Sequence, residues 1–155
     1  MQVDNFVLST PVGRLDISIL DGRLRLIKLG SDQLLSNASS ALGKKVTQQI
    51  SNYFEQPDYH FDLPLMQSGT EYQTKVWKAL RDIPSGTAVT YGELAKKIGS
   101  GARAIGNACR NNPLPIIVPC HRVVAANDIG GFSGAKKGLL LDIKRGLLQH
   151  EGLSI

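Results

Sequence analysis

The sequence predicts an α/β N-terminal half, made of a small sheet and a helix, followed by a mainly α-helical C-terminal half with a helix-turn-helix. Over residues 5–30, apolar and polar positions alternate around an Asp-Gly pair, a strong signal for a β-hairpin. Beyond residue 69, two capping-box patterns precede helical runs, and a glycine turn separates two short helices. At 155 residues the chain can bury a core as one domain or as two small ones.

The N-terminal half carries structural signals and no chemical motif. Alternating apolar residues flank Asp21-Gly22 and predict two paired strands. Residues 40–55 place apolar side chains at helical spacing, and His60 to Met66 predicts a further strand. We therefore expect this half to act as a scaffold.

The first two helices of the C-terminal half begin at capping boxes. Thr70 and Gln73 precede a core-facing apolar stripe that ends before Pro84. Thr90 and Glu93 repeat the pattern before a shorter apolar run. Each threonine is thus expected to be the N-cap of a helix.

A second short helix, from about Ala102 to Arg110, follows the break at Gly99-Ser100-Gly101, which gives the outline of a helix-turn-helix. At about 100° per residue, Arg103, Asn107 and Arg110 fall within about 60° of one another. Four small or apolar residues lie on the other side: Ala104, Ile105, Ala108 and Cys109. The stripe is compatible with DNA binding and equally with an ordinary amphipathic surface helix.

Charge is divided unevenly along the chain. Residues 1–66 carry a net charge of −1, and residues 67–155 carry +6. A basic half suits a polyanionic partner, because each neutralised phosphate releases counterions. The positive excess is also compatible with a solvated surface.

The numbers and positions of cysteines and histidines indicate the redox compartment and argue against a zinc site. Two cysteines, Cys109 and Cys120, are too few for a disulfide framework and predict a reducing compartment. The N-terminus lacks a signal-peptide pattern, and no apolar run approaches the roughly 20 residues of a spanning helix. We expect a cytoplasmic protein, nucleoid-associated if it is bacterial, that makes no membrane contact. The three histidines form no zinc-ligand spacing with the cysteines, so we expect no metal.

The segment Pro119-Cys120-His121-Arg122-Val123-Val124 carries the strongest chemical signal. A free cysteine has a pKa of roughly 8.5, and a neighbouring histidine that takes its proton activates it as a nucleophile. A Cys-His pair alone is also compatible with simple packing, because cysteine is among the most buried residue types.

The hexapeptide and its flanks resemble the O6-alkylguanine-DNA alkyltransferases, also called methylated-DNA-protein-cysteine methyltransferases. The matching segments follow in the family's order: Gly69 to Gln73, Val76 to Leu80, Ile83 to Gly86, Thr90 to Ala95, Ala102 to Gly106, Asn112-Pro113, Pro119 to Val124, Gly131 to Gly134 and His150 to Gly152. The resemblance implies a small α/β scaffold domain over residues 1–64 and a DNA-binding catalytic domain over residues 69–155. It also implies that the helix-turn-helix is of the winged-helix type.

By this resemblance, the protein would remove alkyl groups from O6-alkylguanine, and from O4-alkylthymine, in double-stranded DNA. Cys120 would be the acceptor, His121 would take its proton through a water, and Glu151 would orient the imidazole. Asn112 would brace the turn before the active-site strand, as an Asn-Pro pair favours. A thioether is a poor leaving group, so each molecule would act once, as a monomer and without a cofactor.

The resemblance also implies base flipping from the minor groove. Arg103 would replace the flipped base, and Tyr91 would push on the adjacent phosphate and donate toward the guanine ring. The carbonyls of Cys120 and Val123 and the N–H of Ser133 would read the guanine edge. The small residues of the second helix would allow close approach in a groove about 6 Å wide. The residues expected at the DNA are Ala102, Arg103, Ala104, Gly106, Asn107 and Arg110.

The chain departs from the family pattern in three places. The turn from Ile98 to Arg103 is about two residues short and lacks a proline, which leaves the register of Arg103 open. About five extra residues separate Ser133 from Glu151, so Asp142 stays the alternative orienting acid. Phe132 stands where a tyrosine is common.

Two other functions remain open at this level. A non-catalytic protein that recognises alkylated bases would share the DNA-binding stripe, although Cys120 argues against it. A cysteine hydrolase using Cys120, His121 and an acid would turn over repeatedly and would not need Arg103.

Overall fold

The computed structural model describes residues 1–131 and 138–155. Within these ranges it contains a three-stranded antiparallel sheet, a two-stranded parallel sheet and five α-helices. The α/β N-terminal half and the helical C-terminal half that the sequence predicts are confirmed. In the same ranges, no helix combines the length and the apolarity needed to cross a membrane.

The N-terminal sheet has the order β1 (Val3–Thr10), β2 (Gly13–Leu20) and β3 (Arg23–Lys28). The predicted hairpin is confirmed between β2 and β3, where Asp21 and Gly22 both have positive φ, 48° and 77°. Two positive φ angles are the signature of a type I′ turn, whose twist matches the strands it joins. A second hairpin joins β1 to β2 through residues 11 and 12, so the alternating segment forms three strands.

Helix α1 (Ala41–Glu55) packs on this sheet and confirms the predicted helix. Ser40 is the N-cap, and its side chain accepts from the Gly43 amide at 2.9 Å. The Asp4 carboxylate of β1 accepts from the backbone amides of Ser39 and Ser40, which ties the start of α1 to the sheet. The buried face of α1 contains Gly43, Val46, Gln49, Ile50 and Tyr53.

The strand predicted from His60 to Met66 is wrong. This segment makes an isolated parallel bridge between Leu65 and Leu24, in which the Leu24 amide donates to Pro64 O and the Met66 amide donates to Leu24 O. Pro64 lacks the amide that a continuous ladder needs. The segment therefore lines the sheet without joining it over its length.

In the C-terminal half, α2 (Glu71–Arg81), α3 (Tyr91–Ile98) and α4 (Ala102–Arg110) match the predicted helices. Both capping boxes form, at Thr70 and at Thr90. Gly99, with φ 81°, ends α3 in the left-handed region that favours glycine. The Trp77 indole of α2 donates to Ala108 O of α4 at 2.8 Å and fixes α4 against α2.

The remaining elements surround the Cys-His motif. Strands β4 (Val89–Thr90) and β5 (Val123–Val124) pair in parallel, and β5 directly follows a 3₁₀ turn over Cys120–Arg122. Helix α5 (Leu139–His150) was not predicted, because Lys144 interrupts its apolar face. Buried residues of the sheet, α1, α2, α4 and α5 form one continuous hydrophobic cluster.

Gly43 offers a test of the contact between α1 and β1. Glycine inside a helix is usually about 0.5–1 kcal/mol less favourable than alanine, yet a Cβ here would lie against the Asp4 carboxylate and 2.7 Å from Ala38 Cβ. The clash outweighs the propensity, so Gly43→Ala should lower the free energy of unfolding by about 1–3 kcal/mol.

The matched control is Gly92→Ala in α3, where a Cβ would have as its nearest neighbour Thr90 Oγ1 at 3.9 Å. This variant should be neutral or stabilised by up to about 1 kcal/mol in urea denaturation. Stabilisation by Gly43→Ala would contradict the close packing of α1 on β1.

Candidate active site

The segment that leads to Cys120 is a series of turns rather than the expected active-site strand. Pro113, Pro115 and Pro119 remove amide donors that a strand would need. Pro119, with φ −81° and ψ 67°, centres an inverse γ-turn in which the Cys120 amide donates to Val118 O at 2.8 Å. The backbone thus turns sharply just before Cys120. Cys120 is the first residue of the 3₁₀ turn, and it is buried.

Asn112 braces these turns through its side chain. Its Nδ2 donates to Val118 O at 2.8 Å, and its Oδ1 accepts from the Leu114 amide at 3.0 Å. Buried Ile116 has φ 77°, an unfavourable conformation for a β-branched residue that the surrounding packing must hold. The backbone before Cys120 is therefore held in one strained conformation.

His121 and Glu151 form a buried pair behind the cysteine. His121 Nε2 lies 2.8 Å from Glu151 Oε2, and both side chains are fully shielded from solvent. The carboxylate is an acceptor, so Nε2 carries the proton and Nδ1 is the free acceptor nitrogen. Nδ1 is buried and has no hydrogen-bond partner in the described part of the chain. The ring is thus oriented to receive a proton at Nδ1.

Three side chains donate to the Glu151 carboxylate. Arg122 donates from Nε to Oε1 at 2.9 Å and from Nη2 to Oε2 at 3.0 Å, and its Nη1 binds Ile83 O at 2.6 Å. Tyr53 donates to Oε2 at 2.6 Å, and His121 is the third donor. Burial alone would raise the pKa of Glu151, but these donors hold that pKa at about 2. Glu151 is therefore ionised at neutral pH.

Burial disfavours the charged forms of both the Cys120 thiol and the His121 imidazole. Burial raises the pKa of the Cys120 thiol, and the Asn112 side chain and the Lys144 ammonium only partly offset it. Burial also lowers the pKa of His121, although Glu151 acts in the opposite direction. Burial thus opposes formation of the thiolate in the resting protein, and activation of Cys120 by the neighbouring histidine stays a prediction.

Lys144 is a residue of the site that sequence reasoning missed. It lies on α5 with its side chain fully buried, and its Nζ donates to Val123 O at 2.8 Å and to Gly131 O at 2.9 Å. The ammonium lies 5.8 Å from the centre of the Tyr91 ring. Burial lowers the pKa of Lys144 to about 8, with both cysteines acting in the opposite direction. The available signal in the sequence was the position of Lys144 among the apolar residues of the 139–148 segment, which indicates a buried lysine.

Tyr91 and Cys109 are two further groups near this lysine. Burial raises the pKa of Tyr91 to about 12, and its hydroxyl lies 3.4 Å from Gly131 O as a protonated donor. Burial also raises the pKa of Cys109 to about 12, so it stays a thiol. Cys109 packs on the apolar face of α4, as expected for a core residue.

Helix α4 presents its polar stripe to solvent. Arg103, Asn107 and Arg110 are exposed, while Ile105, Ala108 and Cys109 are buried. Ala104, predicted for the apolar side, is exposed because it lies about 90° from the centre of the buried face. Ala102 is exposed, and Gly106 faces the Tyr91 ring.

Comparison with known proteins agrees with this geometry. The model of the 6-O-methylguanine DNA methyltransferase DNA-binding domain matches residues 71–153. A methylated-DNA–protein-cysteine methyltransferase of Methanosarcina acetivorans is 47% identical over 111 residues, 70% of this chain and 69% of the relative. The constitutive one of Bacillus subtilis is 36% identical over 151 residues, 88% of this chain and 92% of the relative. The chain belongs to the methylated-DNA–protein-cysteine methyltransferase family.

Solved structures share the family fold along nearly the whole chain. Mycobacterium tuberculosis O6-methylguanine methyltransferase superposes with a TM-score of 0.81 at 32% identity, covering 97% of this chain and 93% of that one. The M. tuberculosis OGT in complex with DNA superposes with a TM-score of 0.78 at 33% identity, covering 95% of this chain and 92% of that one. The likeness extends across the N-terminal half, beyond the matched DNA-binding domain.

Within the family site, the structure brings Cys120, His121, Glu151 and Asn112 together. Asp142, the alternative acid, is exposed on α5 and lies 3.6 Å from Arg145, so Glu151 is the acid at the imidazole. The expected base-reading residue Ser133, like Phe132, lies outside the described residues. The carbonyls of Cys120 and Val123 already accept from the Val123 amide and from Lys144, respectively, and each oxygen has a second lone pair.

The acid dependence of stability tests the Glu151 network. The folded pKa of about 2 lies below the ordinary 4.5, so the network stabilises the protein fully above about pH 4.5. This contribution is lost as the pH falls toward 2. Glu151→Gln should be less stable than the wild type at pH 6, and in urea denaturation the difference should shrink as the pH falls from about 4.5 toward 2.

Asp142→Asn is the control, because the Asp142 carboxylate is exposed. The free energy of unfolding of this variant should differ little from that of the wild type at every pH. A Glu151→Gln offset that stays constant with pH would contradict the ionised network.

Proposed function

We propose that this protein repairs O6-alkylguanine in double-stranded DNA by transferring the alkyl group irreversibly to Cys120. The observation that carries the proposal is the buried Cys120–His121–Glu151 arrangement in a chain of the methyltransferase family. The relatives named above are methylated-DNA–protein-cysteine methyltransferases, which supports the same reaction here. By the same chemistry, O4-alkylthymine is a second substrate.

The transfer is a displacement at the alkyl carbon. His121 Nδ1 takes the Cys120 proton, directly or through a water, as the sulfur attacks the alkyl carbon in line with the bond to O6. The C–S bond forms, the C–O6 bond breaks, and its electron pair stays on the base, which takes up one proton to become guanine. Ionised Glu151 stabilises the imidazolium formed on the way. The thioether keeps the alkyl group, so each molecule acts once and no cofactor takes part.

Lys144 and Tyr91 support the same step. The Lys144 ammonium favours the developing thiolate and holds Val123 O and Gly131 O at fixed positions. Tyr91 stays a protonated phenol, because burial raises its pKa to about 12, so it is a donor for the guanine ring or the adjacent phosphate. Val123 O and the Ser133 amide are proposed to read the guanine edge.

The exposed face of α4 is proposed as the DNA interface, within a helix-turn-helix of the winged-helix type that enters the minor groove. Arg103 would fill the space of the flipped base, and Asn107 and Arg110 would contact the backbone. Ala102, Ala104 and Gly106 leave room for close approach. A homologue solved in complex with DNA supports the duplex as partner.

We also propose that the chain acts as a cytoplasmic monomer. Residues 69–155 would form the catalytic and DNA-binding domain, which the family match over residues 71–153 supports. Residues 1–64 would form the scaffold domain. A non-catalytic reader of alkylated bases would not need a braced, buried cysteine with a proton acceptor beside it, and a hydrolase would not need the cationic face of α4.

Mass mapping of Cys120 is the decisive experiment. Incubation with an equimolar duplex containing O6-methylguanine should add one methyl group to the Cys120 peptide and restore guanine, with a burst of one equivalent. Cys120→Ser should lose the transfer yet retain duplex affinity, because a hydroxyl of similar size is far less nucleophilic. Retained lesion with an unmodified Cys120 would refute the transfer, and repeated turnover would favour the hydrolase.

Variants of α4 separate binding from chemistry. Arg103→Ala should weaken duplex binding and should slow repair of the duplex more than reaction with the free modified base, because the side chain that fills the space of the flipped base is lost. Duplex binding by the wild type and by the variant should fall as salt rises. Ala104→Leu should weaken duplex binding by steric contact and leave reaction with the free base unchanged. Arg14→Ala, on the N-terminal sheet, is the control for loss of charge. Equal slowing on duplex and free base would exclude the flipping role of Arg103.

A further inference from the structure

The N-terminal half contributes one side chain directly to the catalytic network. Tyr53 belongs to α1, yet its hydroxyl donates to Glu151 Oε2 at 2.6 Å across 98 positions of sequence. Its side chain is buried, and burial followed by the nearby Glu151 charge raises the phenol pKa far above its ordinary value. The hydroxyl is therefore a protonated donor at neutral pH.

The position of Tyr53 is fixed by contacts on two sides. Its backbone carbonyl lies 2.8 Å from His150 Nε2, and its ring packs edge-on against the His150 imidazole at 5.0 Å. On the other side, its ring contacts Phe54 and Phe61. The hydroxyl is thus held at Oε2, the same carboxylate oxygen that binds His121.

Sharing one oxygen couples the tyrosine to the histidine. A donor on Oε2 withdraws negative charge from the atom that stabilises protonated His121. Without the Tyr53 hydroxyl, that oxygen would interact more strongly with His121 and favour the imidazolium. An imidazolium cannot accept the Cys120 proton, so the activity would be lost at a higher pH than in the wild type.

We propose that Tyr53 is a positioning residue of the active site, through which the N-terminal domain holds Glu151 and keeps His121 in the neutral, proton-accepting form. This role rests on the proposed alkyl transfer and extends it, because it makes the scaffold half part of the catalytic apparatus. The charged and titratable groups around the pair are Arg122 from the 3₁₀ turn, Lys144 from α5 and Cys120 itself, with His150 behind Tyr53. Of the surrounding groups, Arg122 donates to the Glu151 carboxylate, together with His121 and Tyr53 themselves.

Tyr53→Phe tests the proposal, because it keeps the ring and removes only the donor. The acid limb of the pH–rate profile for alkyl transfer should move to higher pH, with a loss of about tenfold in rate at its acid end and a much smaller loss at the plateau. Tyr59→Phe is the matched control. Tyr59 belongs to the same aromatic group, through Phe61, and its hydroxyl makes no hydrogen bond within the described residues.

NMR titration of His121 supplies a readout that does not need the reaction. The chain has three histidines, so His121 can be assigned by comparison with His60→Gln and His150→Gln variants. Its midpoint should rise in Tyr53→Phe and stay unchanged in Tyr59→Phe. If the wild type fails to transfer alkyl groups while this shift is present, the proposed function fails, and only the effect of the Tyr53 hydroxyl on the His121 midpoint stands.

A second substitution keeps the test valid if Tyr53→Phe does not fold. 3-Fluorotyrosine at position 53 retains the packing and donates a stronger hydrogen bond, so the His121 midpoint and the acid limb should move to lower pH. A loss of melting temperature in Tyr53→Phe with an unchanged His121 titration would reduce Tyr53 to a structural role and overturn the proposal. Equal shifts in Tyr59→Phe would overturn it as well.

Discussion

The buried carboxylate of Glu151 is the constraint on which the rest of the site depends. An ionised carboxylate inside a protein is stable only when its charge is neutralised and its oxygens are hydrogen-bonded. Here Arg122, His121 and Tyr53 meet that requirement together. His121 and Arg122 belong to the 3₁₀ turn that carries Cys120, and Tyr53 belongs to α1, the helix that packs on the N-terminal sheet. The carboxylate therefore joins the two halves of the chain at the point where the chemistry takes place.

The same burial disfavours charge on the two groups next to the carboxylate. Desolvation raises the pKa of Cys120 and lowers that of His121, which favours the neutral thiol and the neutral imidazole. Lys144 and Asn112 moderate the effect on the thiol, by a positive charge and by a side-chain hydrogen bond.

Local sequence patterns predicted the elements whose signals are local. The capping boxes at Thr70 and Thr90 and the Asp21-Gly22 turn each depend on residues within a few positions, and all three formed as expected. The segment from His60 to Met66 failed because Pro64 and the available edge of the sheet, rather than its own alternation, decided its pairing. Helix α5 was missed because its buried face includes Lys144.

The sequence by itself determined the family resemblance, the adjacent Cys-His pair and the polar stripe of α4, because each depends on neighbouring or helically spaced residues. Only the tertiary structure decided which acid faces His121, since Glu151 and Asp142 differ in their surroundings and not in their chemistry. It also brought Lys144 to the carbonyl of Val123 and Tyr53 to the carboxylate of Glu151. Both act through contacts between residues distant in the chain, and such contacts exist only once burial has brought the two halves together.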